Sequence, residues 1–163
     1  MSVAIEHGVR WRPEYGSLLG RMARHTMGVW REPDSGIWEL RKHEQFVASK
    51  VMAWVVLDRA ATIAERCRGL DSCDTAALRA VAREVADAVP ADGYDEQLGA
   101  FVQRFGHRSV DAGALLIPIT GFLPPDDPRV LSTLDWRKRS MRARKSGWAT
   151  TRSSSPTSST CLR

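Results

Sequence analysis

The segment from Phe46 to Arg68 constrains the fold most, because its apolar residues surround the axis of the helix that it predicts. These residues include Val47, Val51, Trp54, Val55, Leu57, Ala61 and Ile63. A helix that is apolar all round is normally buried among other helices. A membrane span is not expected, since Lys50 and Asp58 would be costly near a bilayer centre and the uncharged run Val51–Leu57 is far shorter than the ~20 residues required. The sequence therefore predicts an inner helix of a multi-helix protein.

Two amphipathic segments flank this inner helix. Apolar residues recur on one face from Glu14 to Trp30, and a second stripe runs from Leu78 to Val89. The carboxylate of Asp74 is placed to cap the start of the second helix. Prolines are expected to end both helices, near Pro33 and Pro90. Alternating buried and half-buried helices are typical of two helical layers, so the predicted fold class is all-α.

Shorter elements are predicted after Pro90. The stretch Gly99–Phe105 favours a brief extended piece because it is rich in aromatic and β-favouring residues. Pro118 interrupts the apolar run Ala112–Ile119. The run Asp126-Asp127-Pro128 predicts a capped helix start with proline in the first turn, and hence a fifth helix.

Charge divides the chain near residue 135. Eight of the 24 Lys and Arg residues, but none of the 19 Asp and Glu residues, lie from Trp136 onward, and residues 146–163 hold ten Ser or Thr. We therefore predict a helical part over residues 1–135 and a disordered basic tail over residues 136–163. A shift of reading frame and a genuine basic interaction segment both account for such a tail. Its phosphate attraction would be non-specific, so no specific nucleic-acid partner is predicted.

Neither a metal site nor a cofactor is predicted. The three cysteines form no CxxC pair, and the four histidines are far apart, without a ligand-like spacing. The first residues of the chain lack the basic stretch and apolar run of a signal peptide, so the expected location is cytoplasmic, with no membrane partner.

The stretch Trp30–Arg41 is predicted to form part of a functional site rather than of the structural scaffold. Its sequence is Trp-Arg-Glu-Pro-Asp-Ser-Gly-Ile-Trp-Glu-Leu-Arg. It joins a surface helix to the buried helix, so its polar side chains can point into a cavity among the inner helices. On spacing alone, a core Trp38 beside a solvated Glu39 is the more common arrangement.

Four colinear stretches resemble the catalytic domain of glycoside hydrolase family 15, the glucoamylase, dextran glucosidase and bacterial trehalase group. They are Trp30–Arg41, Ser49–Arg59, Gly99–Gly106, and Asp111–Leu116 with Gly121–Arg129. The resemblance covers residues 14–135 and implies a partial (α/α)6 toroid, with about five helices of twelve, whose site lies where the loops gather.

The resemblance also implies roles for three residues. Glu39 corresponds to the general acid that protonates the glycosidic oxygen. Trp38 would border the sugar-binding subsite, and Arg41 would donate hydrogen bonds to sugar hydroxyls. Three positions depart from the family pattern: Lys42 replaces a usual glycine, Ala48 replaces an aromatic residue or histidine, and Gly113 replaces a more common serine.

These observations lead to two hypotheses. In the first, the chain is a fragment of an inverting glycoside hydrolase that acts on α-glucosidic bonds in carbohydrate metabolism, with an α-glucoside or oligosaccharide as its partner. No residue matches the family's general base, so the chain alone is expected to be inactive. In the second, it is a catalytically inactive helical interaction protein. Self-association through exposed inner helices is expected in either case, because a partial toroid leaves apolar faces uncovered.

Overall fold

The structure of the protein is a computed structural model, which describes residues 13–66 and 74–151. The α-helices in these ranges are α1 (Pro13–Val29), α2 (Val47–Arg66), α3 (Thr75–Gly93), α4 (Leu116–Thr120) and α5 (Pro128–Thr151). Strand β1 (Tyr94–Asp95) pairs antiparallel with β2 (Ala100–Phe101), and a 3-10 turn (Ala112–Leu115) leads into α4. None of the helices in these ranges has the length and apolar character that a membrane crossing requires.

Helix α2 lies at the centre of the packing, against α1, α3 and α4. Its buried side chains point to several sides of the helix and include Val47, Val51, Leu57, Ala60, Ala61 and Ile63. Trp54 packs edge-to-face on Phe122, with ring centroids 5.1 Å apart. This arrangement confirms the inner helix that the sequence predicted. Residues 67 and 68 of that prediction lie outside the described residues.

Helices α1 and α3 are amphipathic and flank α2. On α1, Leu19 and Ala23 are buried, whereas Leu18 and Met22 are about half exposed. The buried face of α3 is formed by Leu78, Ala82, Val85 and Val89.

The two ends of α3 test two predictions. Asp74 caps the start as predicted, because its Oδ1 accepts hydrogen bonds from the backbone N–H groups of Ala76 and Ala77, at 2.9 and 3.1 Å. The prediction that α3 ends at Pro90 is wrong, since the helix continues to Gly93. A proline in the last turn removes only one backbone hydrogen bond, and the helix tolerates that loss here.

Ion pairs join α2 to α3. Nη1 of Arg79 lies 2.6 Å from Oδ1 of Asp58, and Nη2 of Arg79 lies 2.9 Å from Oε2 of Glu65. The hydrogen bond from Arg79 lowers the pKa of Glu65. Arg59 also pairs with Asp58, and its Nη2 donates to the backbone oxygen of Thr120 at 2.9 Å. Asp58 and Glu65 of the inner helix are therefore paired with Arg79 of α3, and these ion pairs hold the two helices together.

The extended piece predicted within Gly99–Phe105 is confirmed, but the strand has only two residues. Helix α5 holds this hairpin in place. The backbone N–H of Phe101 donates to Oγ1 of Thr133 at 3.0 Å, and Oγ of Ser132 donates to the backbone oxygen of Gly99 at 2.5 Å.

Helix α5 begins as predicted and extends further than predicted. Oδ1 of Asp127 accepts from the backbone N–H of Arg129 at 2.9 Å, so the cap before Pro128 is confirmed. The helix then continues to Thr151, which corrects the prediction of disorder for residues 136–151. The prediction rested on the loss of the apolar stripe, but Ala, Arg, Lys and Met are good helix formers without one. Residues 152–163 of the predicted tail lie outside the described residues, and the division of the chain at residue 135 stays a prediction.

Candidate functional site

The loop between α1 and α2, residues 30–46, holds all three predicted site residues. It folds back on itself, because Asp34 and Glu44 exchange backbone hydrogen bonds of 3.0 and 2.9 Å. Nε2 of Gln45 donates to the backbone oxygen of Arg31 at 2.8 Å, which fixes the two ends of the loop near each other. The loop is therefore closed by hydrogen bonds between its two ends.

Polar side chains anchor this loop to the first turn of α2. Oδ1 of Asp34 accepts from Oγ of Ser49 at 2.7 Å and from the backbone N–H of Gly36 at 2.6 Å. Nζ of Lys50 donates to the backbone oxygen of Glu32 at 2.7 Å and lies 3.7 Å from Oδ2 of Asp34. Lys50 is only 2% exposed. Burial lowers its pKa, and the attraction to Asp34 opposes that shift in part.

Gly36 is required by the conformation of the loop. Its φ is +66°, in the left-handed region, and a Cβ at this position would lie 2.9 Å from ring atoms of the buried Phe46. A side chain here would be strained by the backbone and would also collide with the ring. The turn that leads to Glu39 is thus determined by a residue without a side chain.

Glu39 lies just after this turn in a backbone conformation that non-glycine residues seldom adopt. Its φ is 49°, and among the described residues it is the one non-glycine residue with a positive φ. Backbone hydrogen bonds hold it there, from Glu39 to Gly36 at 3.2 Å and from Leu40 to Ser35 at 2.8 Å. Its side chain is exposed. Strained non-glycine residues of this kind are concentrated at functional sites.

Trp38 is fixed by a contact with a distant part of the chain. Its indole Nε1 donates to Oδ2 of Asp111 at 2.7 Å. The same oxygen accepts from Nε2 of Gln103 at 3.1 Å, and Oδ1 of Asp111 accepts from the backbone N–H of Gly113 at 2.9 Å. The Trp38 side chain is nevertheless 56% exposed, so its ring surface is open to solvent. Three separate stretches of the sequence meet at this carboxylate.

The remaining predicted position, Arg41, lies on the same loop with an exposed side chain. The neighbouring Lys42 is also exposed. Ala48, the second departure from the family pattern, is 6% exposed, and a Cβ on Gly113 would lie 3.1 Å from the Cβ of Ala48. Two small residues therefore meet where α2 faces the 3-10 turn.

A cavity of about 470 Å³ lies between the loop, α1 and α2. Its lining includes the apolar side chains of Trp30, Ile37, Met52 and Val56, together with the anchoring residues of the loop. Nε1 of Trp30 is buried without a hydrogen-bond partner among the described residues. The lining does not include Trp38, Glu39 or Arg41, which lie on the solvent side of the same loop.

Sequence reasoning missed Lys50 and Asp111 as residues that shape the site. A lysine inside an otherwise apolar helix was a signal for the first, because a buried ammonium requires partners. A carboxylate just before a helical turn was a signal for the second, although capping alone would have explained it. In residues 13–66 and 74–151, no cluster of three or more His, Cys, Asp or Glu side chains is arranged to hold a metal ion.

Residues 2–152 match the sequence model of glycosyl hydrolases family 15. A trehalase of Mycobacterium tuberculosis is 47% identical over 118 residues, which are 72% of this chain and 17% of that protein. A trehalase of Thermoplasma acidophilum is 40% identical over 107 residues, which are 65% of this chain and 18% of that protein. The chain thus spans less than a fifth of the length of these relatives.

Solved structures give a likeness in fold. A structure described as a glycosidase superimposes with a TM-score of 0.57 at 22% sequence identity, over 74% of this chain and 37% of that chain. A second glycosidase structure gives a TM-score of 0.54 over the same shares. Identity this low supports the fold and not the chemistry. The likeness confirms the prediction of a partial (α/α)6 toroid.

Proposed function

The chain belongs to glycosyl hydrolases family 15, and from this membership we propose that it forms the general-acid part of a site that hydrolyses α-glucosidic bonds. The observation that best supports this proposal is the conformation of Glu39, a non-glycine residue held at φ 49°. Glu39 follows directly after Trp38 in the sequence. The indole N–H of Trp38 donates to Asp111, while the ring stays exposed.

The proposed substrate is an α-glucoside, and trehalose is the first candidate because the relatives described above are trehalases. The exposed ring of Trp38 offers an apolar surface to a face of the sugar. The planar guanidinium of Arg41 offers fixed N–H donors to its hydroxyl groups. Both side chains lie on the loop that also presents Glu39, so one sugar is expected to contact the three residues together.

In the proposed reaction, the protonated carboxyl of Glu39 gives its proton to the glycosidic oxygen as the bond from this oxygen to the anomeric carbon breaks. An inverting enzyme adds water from the opposite face, activated by a second carboxylate about 6.5–9.5 Å from the first. No residue of this chain corresponds to that base in the family pattern. We therefore propose that the base is supplied by a part of the family's catalytic domain to which this chain has no match.

Saccharide binding distinguishes this proposal from the second hypothesis, an inactive interaction protein. We expect trehalose or maltose, added to the full chain labelled with 15N at its tryptophan indoles, to shift the Trp38 signal. Arg41→Ala should weaken this binding in the same titration. Trp38→Ala lacks the reporter indole, so calorimetry measures its binding, which should also be weaker. The matched control is Arg83→Ala, which removes an exposed arginine from α3.

The two hypotheses predict opposite outcomes in this titration. If none of the α-glucosides binds, the hydrolase proposal is wrong and the interaction protein is favoured. Equal loss of binding in Arg83→Ala and Arg41→Ala would reject the assigned roles.

Self-association through exposed apolar residues such as Met52, which is 40% exposed, stays a prediction under both hypotheses.

A further inference from the structure

We propose that Asp111 is a positioning residue, which sets the orientation of Trp38 and so the direction in which the tip of the loop presents Glu39. The inference rests on the proposed function, because the orientation of Trp38 matters to catalysis only if its ring borders a bound sugar. Asp111 itself is not assigned any contact with the substrate.

The direction of the Asp111 carboxylate is determined by the backbone around it. Its Oδ1 accepts from the N–H of Gly113 at 2.9 Å, as the cap of the 3-10 turn. With one oxygen held by the turn, the second oxygen must project away from it. That oxygen, Oδ2, meets Nε1 of Trp38 at 2.7 Å and Nε2 of Gln103 at 3.1 Å. The Asp111 carboxylate, which caps the 3-10 turn through one oxygen, is therefore also a fixed hydrogen-bond acceptor for Trp38 through the other.

The contact determines how the indole of Trp38 is oriented. An indole N–H can only donate, so its edge must face an acceptor such as Oδ2 of Asp111. A hydrogen bond to an ionised carboxylate is roughly twice as strong as one between neutral groups. Because Trp38 is 56% exposed, packing alone leaves its ring free to adopt other rotamers. The hydrogen bond to Asp111 selects one orientation and leaves the ring surface open.

The effect is expected to reach Glu39 through the backbone. The loop is held at its base by Asp34 and Lys50, while Asp111 holds it near the tip, 73 positions away from Trp38 in sequence. Glu39 follows Trp38 directly and has a strained φ of 49°. Release of the Trp38 side chain removes one of the restraints that keep the loop in this conformation.

Asp111→Asn tests the proposal with the smallest change. The amide oxygen of the variant side chain can still accept from the backbone N–H of Gly113. The amide NH2 group then points toward the indole N–H of Trp38, and an NH2 group cannot accept a hydrogen bond. In 15N spectra of the full chain, we expect the Trp38 indole signal to move toward that of a solvent-exposed indole. Its exchange with water should become about tenfold faster, and the Kd for trehalose should rise about tenfold.

Two matched variants separate positioning from a general loss of structure. Gln103→Met removes the second donor to Oδ2 and should leave the Trp38 signal in place. Asp95→Asn changes another carboxylate that accepts two backbone N–H bonds, from Gln97 and Leu98, each 2.9 Å long. It should leave both the signal and the trehalose affinity unchanged.

A double-mutant cycle tests whether Asp111 acts through Trp38. In a Trp38→Phe background, Asp111→Asn should cause no further loss of trehalose affinity, because the indole N–H is already absent. A full additional tenfold loss would overturn the proposal, since Asp111 would then act independently of Trp38. An unchanged Trp38 indole signal in Asp111→Asn would overturn it as well.

Two remaining outcomes are also decisive. If Asp111→Asn does not fold, indole exchange in the unaltered chain replaces it, and exchange of Trp38 as fast as that of free tryptophan overturns the proposed hydrogen bond. If the unaltered chain binds no α-glucoside, the proposed function fails. A changed indole signal in Asp111→Asn would then still support the orienting contact, so the two failures are distinguishable.

Discussion

The ammonium nitrogen of Lys50 lies 2.7 Å from the backbone oxygen of Glu32, so a buried charge on the inner helix α2 holds the start of the loop that presents Glu39. Lys50 is 2% exposed, and its ionic partner Asp34 is 3.7 Å away. A buried charge requires such partners, because removal from water is costly. The anchoring of the loop is therefore coupled to the protonation of one lysine.

Stability should depend on this lysine at alkaline pH. Burial lowers the pKa of Lys50 below its ordinary value of 10.5 in the folded chain. As the pH rises from the folded pKa toward 10.5, the unfolded chain holds more protons than the folded chain, so the free energy of unfolding should rise. The free energy of unfolding of the unaltered chain, minus that of Lys50→Met, should therefore increase with pH in this window. The increase is at most about 1.4 kcal/mol per pH unit. Denaturant titrations at several alkaline pH values measure the difference.

A neutral substitution in the same turn provides the control for this prediction. Ser49→Ala removes the 2.7 Å hydrogen bond to Asp34 without removing a charge. It should lower the free energy of unfolding by about 1 kcal/mol at every alkaline pH. A difference between the unaltered chain and Lys50→Met that falls as the pH rises would contradict the prediction.

The elements set by local sequence could be predicted in detail. The apolar residues around the helix from Phe46 onward identified the inner helix, and the carboxylates of Asp74 and Asp127 identified two helix starts. These features depend on neighbours a few residues away. Pro90 was misread because a proline in the last turn of a helix costs much less than one in its middle.

The arrangement of the site could not be predicted in the same way. The hydrogen bond between Trp38 and Asp111 joins residues 73 positions apart, and its existence depends on how α2 and the 3-10 turn pack. The family resemblance named Glu39, but the residues that hold its loop are visible only after folding. The length of α5 was missed because helix propensity continues past the last apolar stripe.

The two glycines Gly28 and Gly36 should respond to alanine in opposite directions. A Cβ at Gly36 would meet the Phe46 ring at 2.9 Å, and its φ of +66° disfavours any side chain. Gly36→Ala should therefore lower the free energy of unfolding by about 2–3 kcal/mol. At Gly28, the penultimate residue of α1, no atom lies within 4 Å of the added Cβ, so Gly28→Ala should raise stability by at most about 0.5–1 kcal/mol. Urea denaturation measures both values, and a stable Gly36→Ala would show that the loop can adopt another conformation.

The positive φ of Glu39 predicts a conflict between stability and function. Glycine adopts a φ of 49° without the strain that a side chain causes, so Glu39→Gly should raise the free energy of unfolding by about 0.5–1 kcal/mol. Lys42→Gly is the matched control, because it also replaces an exposed charged side chain by glycine, but at a position without a positive φ, and it should lower stability by a similar amount. Thermal and urea denaturation would compare the two variants. A loss of stability in Glu39→Gly would mean that the Glu39 side chain stabilises the fold despite its backbone conformation.

The final prediction concerns catalysis by the full chain. A general acid or base typically contributes a factor of about 10²–10⁴ to the rate, and a site without its second carboxylate also lacks activated water. The chain alone should therefore show no measurable hydrolysis of trehalose or maltose. Turnover is expected when the remainder of a related family 15 catalytic domain is supplied as a second polypeptide, because that polypeptide would supply the proposed second carboxylate, which has no counterpart in this chain.

In this reconstituted enzyme, Glu39→Gln should lower kcat by about 10²–10⁴-fold, since glutamine has no proton to give to the glycosidic oxygen. Glu32→Gln is the matched control, because Glu32 is an exposed carboxylate on the same stretch of sequence. Lys50 donates to the backbone oxygen of Glu32, and the substitution leaves that oxygen in place. It should leave kcat within about twofold of the unaltered chain, as expected for a surface substitution. Equal rates for Glu39→Gln and the unaltered chain would show that another residue is the acid. Rapid turnover by the isolated chain would show that these 163 residues contain a base.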